Sequence, residues 1–122
     1  MDIAKVRNVF TALTGIKNYH RETHEPVIEA ALDKVFCALK PGVPFTSTNS
    51  ALVYAIAAEA YYQYTLTQIA KERDGAVRTG DISVQADTAK TMNNAKNIRD
   101  ELLCMAKDFL KLDDSFYFKG VV

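Results

Sequence analysis

Apolar positions recur along most of this chain at steps of three and four, the spacing of a helix with one face in a core. Ile3, Val6, Phe10 and Leu13 share a face, with Asp2 placed to cap the start and Gly15 to end the run. A polar stretch follows, Lys17 to Glu25. Pro26 then suits the first position of a second helix, whose stripe is Ile28, Ala31, Leu32, Val35 and Leu39. Pro41-Gly42 and Pro44 make a loop of residues 40–48, and Thr48 or Asn49 can cap the next helix. From Ala51 to Tyr62 apolar residues occupy every side, the pattern of a helix enclosed by its neighbours. Met92, Ala95, Ile98, Leu102, Met105 and Phe109 form the stripe of a last helix. The pattern predicts helices at about 3–14, 26–39, 50–73 and 86–111, in one domain covering residues 1–122. The expected fold class is all-α (mostly), a four-helix bundle-like domain.

Two segments break the helical period. Residues 74–84 contain Gly75 and Gly80, and Ile82 and Val84 alternate with Ser83, which predicts a loop or a small hairpin. Residues 115–122, with Phe116-Tyr117-Phe118, predict an extended C-terminal arm. Extended apolar segments either add to a partner's sheet edge or pair within their own chain. Both options stay open here.

The size and charge of the chain narrow the classes. At 122 residues it can bury a core without disulfide or metal staples. Fifteen basic and fifteen acidic residues give zero net charge, with no basic stripe for phosphate contacts, so specific nucleic-acid binding is not expected. Zero charge also leaves little repulsion between copies. Cys37 and Cys104 lack metal or redox spacing and are expected as reduced thiols. No signal-peptide pattern opens the chain, and the apolar run Ala51–Tyr62 is too short for a bilayer and holds Glu59. The expectation is an intracellular protein without membrane contact.

Candidate chemistry is sparse. His20 and His24 stand four apart, but Arg21 occupies the place where a zincin has glutamate, so they are expected as solvated loop residues and not as metal ligands. Glu59 on the most enclosed helix is either paired with Lys or Arg or, less simply, a perturbed acid. Tyr54, Tyr61, Tyr62 and Tyr64 have no interleaved basic residues, which favours core packing over base stacking. No phosphate loop, dinucleotide fingerprint or nucleophile elbow is present. No catalytic, metal or cofactor residues are assigned, no cofactor is expected, and the expectation is a protein that is not an enzyme.

The order of elements resembles one family. An Ala- and Tyr-rich helix (Ala51 to Tyr64) leads to Lys71-Glu72-Arg73-Asp74. Gly80-Asp81-Ile82-Ser83 follows, then a long helix with Ala95-Lys96-Asn97-Ile98-Arg99 and Leu102. Over about residues 50–110 this is similar to the head–tail connector proteins of tailed bacteriophages and prophages, also called head-completion or adaptor proteins. The resemblance implies a helical bundle that forms or joins a ring at the head–tail junction. It implies partners in further copies of the chain and in other phage proteins on the portal and tail sides. It also implies assembly in the host bacterial cytoplasm and a place in the virion. Carried onto this chain, the candidate interface residues are Arg78, Gly80, Asp81, Ile82, Val84, Phe116, Tyr117 and Phe118. Without the resemblance, the residues read as a small helical interaction or regulatory module, working as monomer or dimer.

Overall fold

The computed structural model describes the backbone of residues 1–79 and 82–113, and the side chains of residues 1–71 and 89–113. Four helices follow in order: α1 (Ile3–Thr14), α2 (Arg21–Cys37), α3 (Ser50–Thr79) and α4 (Ile82–Met105). The all-α fold follows the helical spacing of the sequence. Among the described residues the only strand-like pairing is one antiparallel bridge, Leu39 to Leu110. No described helix is long and apolar enough to cross a membrane.

α1 has the predicted bounds because both ends are chemically marked. The Asp2 carboxylate accepts the Ala4 N–H at 3.0 Å, and Gly15 closes the helix at φ 72°, donating its N–H to Thr11 at 2.9 Å. α3 is capped by Asn49, whose side chain accepts the Leu52 N–H at 3.4 Å.

Every other helix packs on α3. Its first half carries Leu52, Val53, Ala55, Ile56, Ala57, Ala58 and Ala60, all buried, and the small alanines let three helices approach at once. Val6 and Phe10 of α1, Ile28, Ala31 and Val35 of α2, and Leu103, Ala106 and Leu110 complete the core. Burial of each large aliphatic side chain here contributes roughly 1.5–3 kcal/mol.

Three boundaries differ from the periodicity reading. α2 starts at Arg21, capped by the backbone of His20, so Pro26 lies inside the helix and not at its start. Pro26 forfeits one hydrogen bond, and the first turn is held instead by side chains. His24 Nδ1 accepts the His20 N–H at 2.9 Å, and Glu25 binds Arg7 and Tyr19. α3 runs to Thr79 and α4 begins at Ile82, so residues 74–79 and 82–84 are helical, not loop or β-hairpin. An isolated glycine such as Gly75 costs a helix only about 1 kcal/mol, too little to end one that a partner supports. α4 stops at Met105 and not at 111. Residues 106–109 turn, and the chain then crosses α2's end, with Lys40 N–H donating to Phe109 at 2.9 Å and Lys111 N–H to Ala38 at 2.7 Å.

Candidate interaction surfaces and a buried charge centre

The buried face of α4 is not the one its apolar residues suggest. Ala95, Arg99 and Leu103 of α4 point inward, followed by Ala106 and Leu110 beyond its end, whereas Ile98 and Met105, expected in the core, are 37% and 65% exposed. The cause is Glu59. Its carboxylate is fully buried on α3 and draws in cations from both flanking helices. Lys34 of α2 donates to Oε1 at 2.7 Å, and Gln63, one turn along α3, donates to the same oxygen at 3.0 Å. The Arg99 guanidinium of α4 stands 3.8 Å from Oε2. Arg99 also lies over the Tyr62 ring at 4.1 Å and donates to Asp100 at 3.0 Å. A buried carboxylate is tolerated only with such partners. Drawing Arg99 inward turns α4 on its axis and carries Ile98, half-buried Leu102 and Met105 to one flank.

A second polar cluster joins α1 to α2. Arg7 grips Glu25 through two nitrogens, Nε at 3.1 Å, and Tyr19 donates its hydroxyl to the same carboxylate. The hydrogen bonds from Arg7 and then Tyr19 hold Glu25 below the usual carboxylate range. Burial, followed by the hydrogen bond to Glu25, pushes the Tyr19 phenol up to about 12. Beside it, His24 is buried between Phe10, Tyr19 and Tyr64, with ring centroids 5.3–6.1 Å away. The expectation of solvated loop histidines therefore fails for His24 and holds for exposed His20. The Nδ1 of His24 is engaged by its own backbone cap, which removes it as a ligand in this arrangement. Among the described residues no three of His, Cys, Asp and Glu stand close enough to hold a metal.

The tyrosines divide. Tyr62 is buried under Arg99, and Tyr64 packs edge-on to Phe10 at 5.8 Å, as core packing requires. Tyr54 is 43% exposed. It shares a strip of α3 with Ser50, Tyr61, Thr65 and Gln68, none of them buried. At 100° per residue this strip lies about 140° round the helix from Glu59.

The interface residues expected from sequence are only partly placed. Arg78 falls in the last turn of α3, and Ile82 and Val84 in the first turn of α4. Gly80, Asp81, Phe116, Tyr117 and Phe118, with the predicted arm, lie outside the described residues. The structure adds surfaces the pattern had missed: Phe36, 56% exposed and stacked edge-on to Phe45 at 5.2 Å, and the Ile98–Met105 flank. Their signal was present only in relation to Glu59, since a stripe that admits Arg99 in place of Ile98 yields the observed face. No protein-family model matches the chain, and no curated protein or solved structure does either.

Proposed function

We propose that this chain is a non-enzymatic assembly protein of the bacteriophage or prophage head–tail connector type, forming or joining a ring and meeting other phage proteins on its portal and tail sides. The observation that supports this reading is the reach of the α3–α4 hairpin. α1 and α2 meet α3 at Tyr64 through Phe10 and His24, and each extends only about one further turn. α3 continues from there to Thr79, roughly 20 Å at 1.5 Å per residue, paired with α4. A two-helix arm leaving a four-helix collar gives a small protein a lever long enough to contact a neighbour. The arm's end carries Arg78, Ile82 and Val84, three of the residues to which the family resemblance assigns contacts.

The test is to mix the purified chain with a tailed-phage portal protein and to examine the product by light scattering and negative-stain microscopy. Rings or portal-bound caps are expected. A variant with Arg78, Ile82 and Val84 all changed to Ser is expected to keep its helical circular dichroism and to lose them. A chain that remains monomer or dimer, with and without portal protein, would reject the connector reading in favour of a helical interaction module.

A further inference from the structure

Helix α2 has two places to start, and the choice between them rests on one ring nitrogen. The observed start is Arg21, with His20 as a cap that works through its backbone and not its side chain. The other is Pro26, whose fixed φ and missing N–H suit the first position of a helix. Pro26 has no N–H to give to the Glu22 carbonyl, so the turn ahead of it is tied weakly to the helix behind. The hydrogen bond from the His20 N–H to His24 Nδ1, at 2.9 Å, bridges this turn.

An imidazole nitrogen accepts only while it carries no proton. The bond therefore belongs to neutral His24 with its proton on Nε2. Protonation turns Nδ1 into a donor aimed at another donor. It also puts a positive charge on a buried ring in the first turn of a helix, where the macrodipole opposes it. The surrounding groups offer little relief. α1 supplies Phe10 and, one turn away, Arg7; the segment before α2 supplies Tyr19 and the His20 ring, stacked at 6.1 Å. α3 supplies Tyr64. On α2, Arg21 and Glu22 stand exposed, and the adjacent Glu25 carboxylate is already held by Arg7 and Tyr19.

We propose that His24 is an acid-sensitive latch on the first turn of α2. With the ring neutral, α2 begins at Arg21. With the ring protonated, the turn of residues 21–24 unwinds and α2 begins at Pro26, while Glu25 stays moored to Arg7. Unwinding opens one side of the buried Phe10 ring, which His24 covers beside Tyr64. The acceptor fixes the sign: the latch is closed at high pH and opens as the pH falls through titration of the ring. Glu25, held below its usual range, keeps its charge meanwhile and is not the trigger. The latch is a property of this fold and does not depend on the connector reading.

The experiment is nuclear magnetic resonance on the full chain at about pH 7.5 and about pH 5.3, either side of the ordinary histidine value of about 6.5. Nitrogen shifts of the imidazoles report which nitrogen holds the proton. Amide exchange, corrected for its intrinsic pH dependence, reports the cap. At the higher pH His24 is expected to carry its proton on Nε2, with the His20 amide protected. At the lower pH that protection is expected to fall roughly tenfold, as for one lost hydrogen bond, while the amides of residues 28–37 keep theirs. His24→Gln offers an amide oxygen that accepts without titrating, and is expected to keep the cap at both pH values. His20→Ala removes the other imidazole and leaves the backbone donor, so it is expected to keep the response. Should His24→Gln not fold, the wild type decides alone, because the loss must track the His24 ring and not the His20 ring. The latch is overturned by a proton on Nδ1 at the higher pH. It is overturned equally by protection that does not change, whether because the ring stays neutral or because the aromatic rings hold the imidazolium in place. A response that persists in His24→Gln, or unfolding of the whole chain across the same range, also rejects it.

Discussion

Glu25 and Tyr19 give the α1–α2 junction opposite responses at the two ends of the pH scale. Glu25 is held below its usual 4.5, so its contribution to stability is full above that pH and is lost as the pH falls through the lowered value. The Tyr19 phenol is raised from 10.0 to about 12, so its contribution is full below pH 10 and is lost as the pH rises through about 12. Ultraviolet titration at the phenolate band is expected to show a late-ionising step from Tyr19. Tyr19→Phe should remove that late step, and an unchanged curve would refute the assignment. At the buried centre, Glu59→Gln leaves Lys34 and Arg99 facing a neutral amide. The expected loss is about 3–5 kcal/mol in urea unfolding, with assembly retained in the folded fraction. A loss below about 1 kcal/mol would show that the charges are satisfied elsewhere.

The rotated face of α4 belongs to the scale of elements. Leu103→Ala should cost about 2–5 kcal/mol, the range for a fully buried leucine. Ile98→Ala should cost well under about 1 kcal/mol, as for a surface change. The reverse ranking in chemical denaturation would restore the stripe that the apolar spacing alone suggests. The elements legible in the sequence were those whose ends carry local chemistry: Asp2 and Gly15 bound α1, and Asn49 opens α3. The start of α2 was hidden because its N-cap, His20, works through its backbone and is steadied by the His24 ring, with Arg7 and Tyr19 holding Glu25 from outside the helix. The join between α3 and α4 was hidden because two glycines and an alternating Ile-Ser-Val imitate a hairpin, whereas the pairing of two long helices outweighs local preference. Gly75→Ala is accordingly expected to stabilise the protein by about 0.5–1 kcal/mol. Destabilisation at that position would mean that the α3 backbone there needs glycine.

At the scale of the whole molecule, α3 is the axis on which everything else depends. The central role of that helix was readable from its all-round apolar pattern. The partners of Glu59 were readable only as a class, since Lys34 and Arg99 lie 25 residues before it and 40 after, on separate helices. The exposed surfaces at Phe36 and Met105 could not be read at all, because exposure is a property of neighbours and not of the residue.

The bridge between Leu39 and Leu110 has a bearing on how the chain comes to be folded. It joins positions far apart in sequence, as does the contact between Glu59 and Arg99. During synthesis α1, α2 and the first half of α3 are complete long before either can form. Until Arg99 emerges, the Glu59 carboxylate has Lys34 as its only cation from these two. Until residues 109–111 emerge, the Ala38 carbonyl and the Lys40 amide have nothing from that strand to bind. Such distant contacts delay folding relative to local ones. The nascent chain therefore carries an unfinished core for most of its translation, and a fragment ending before Leu110 would be a folding intermediate and not a smaller form of the protein.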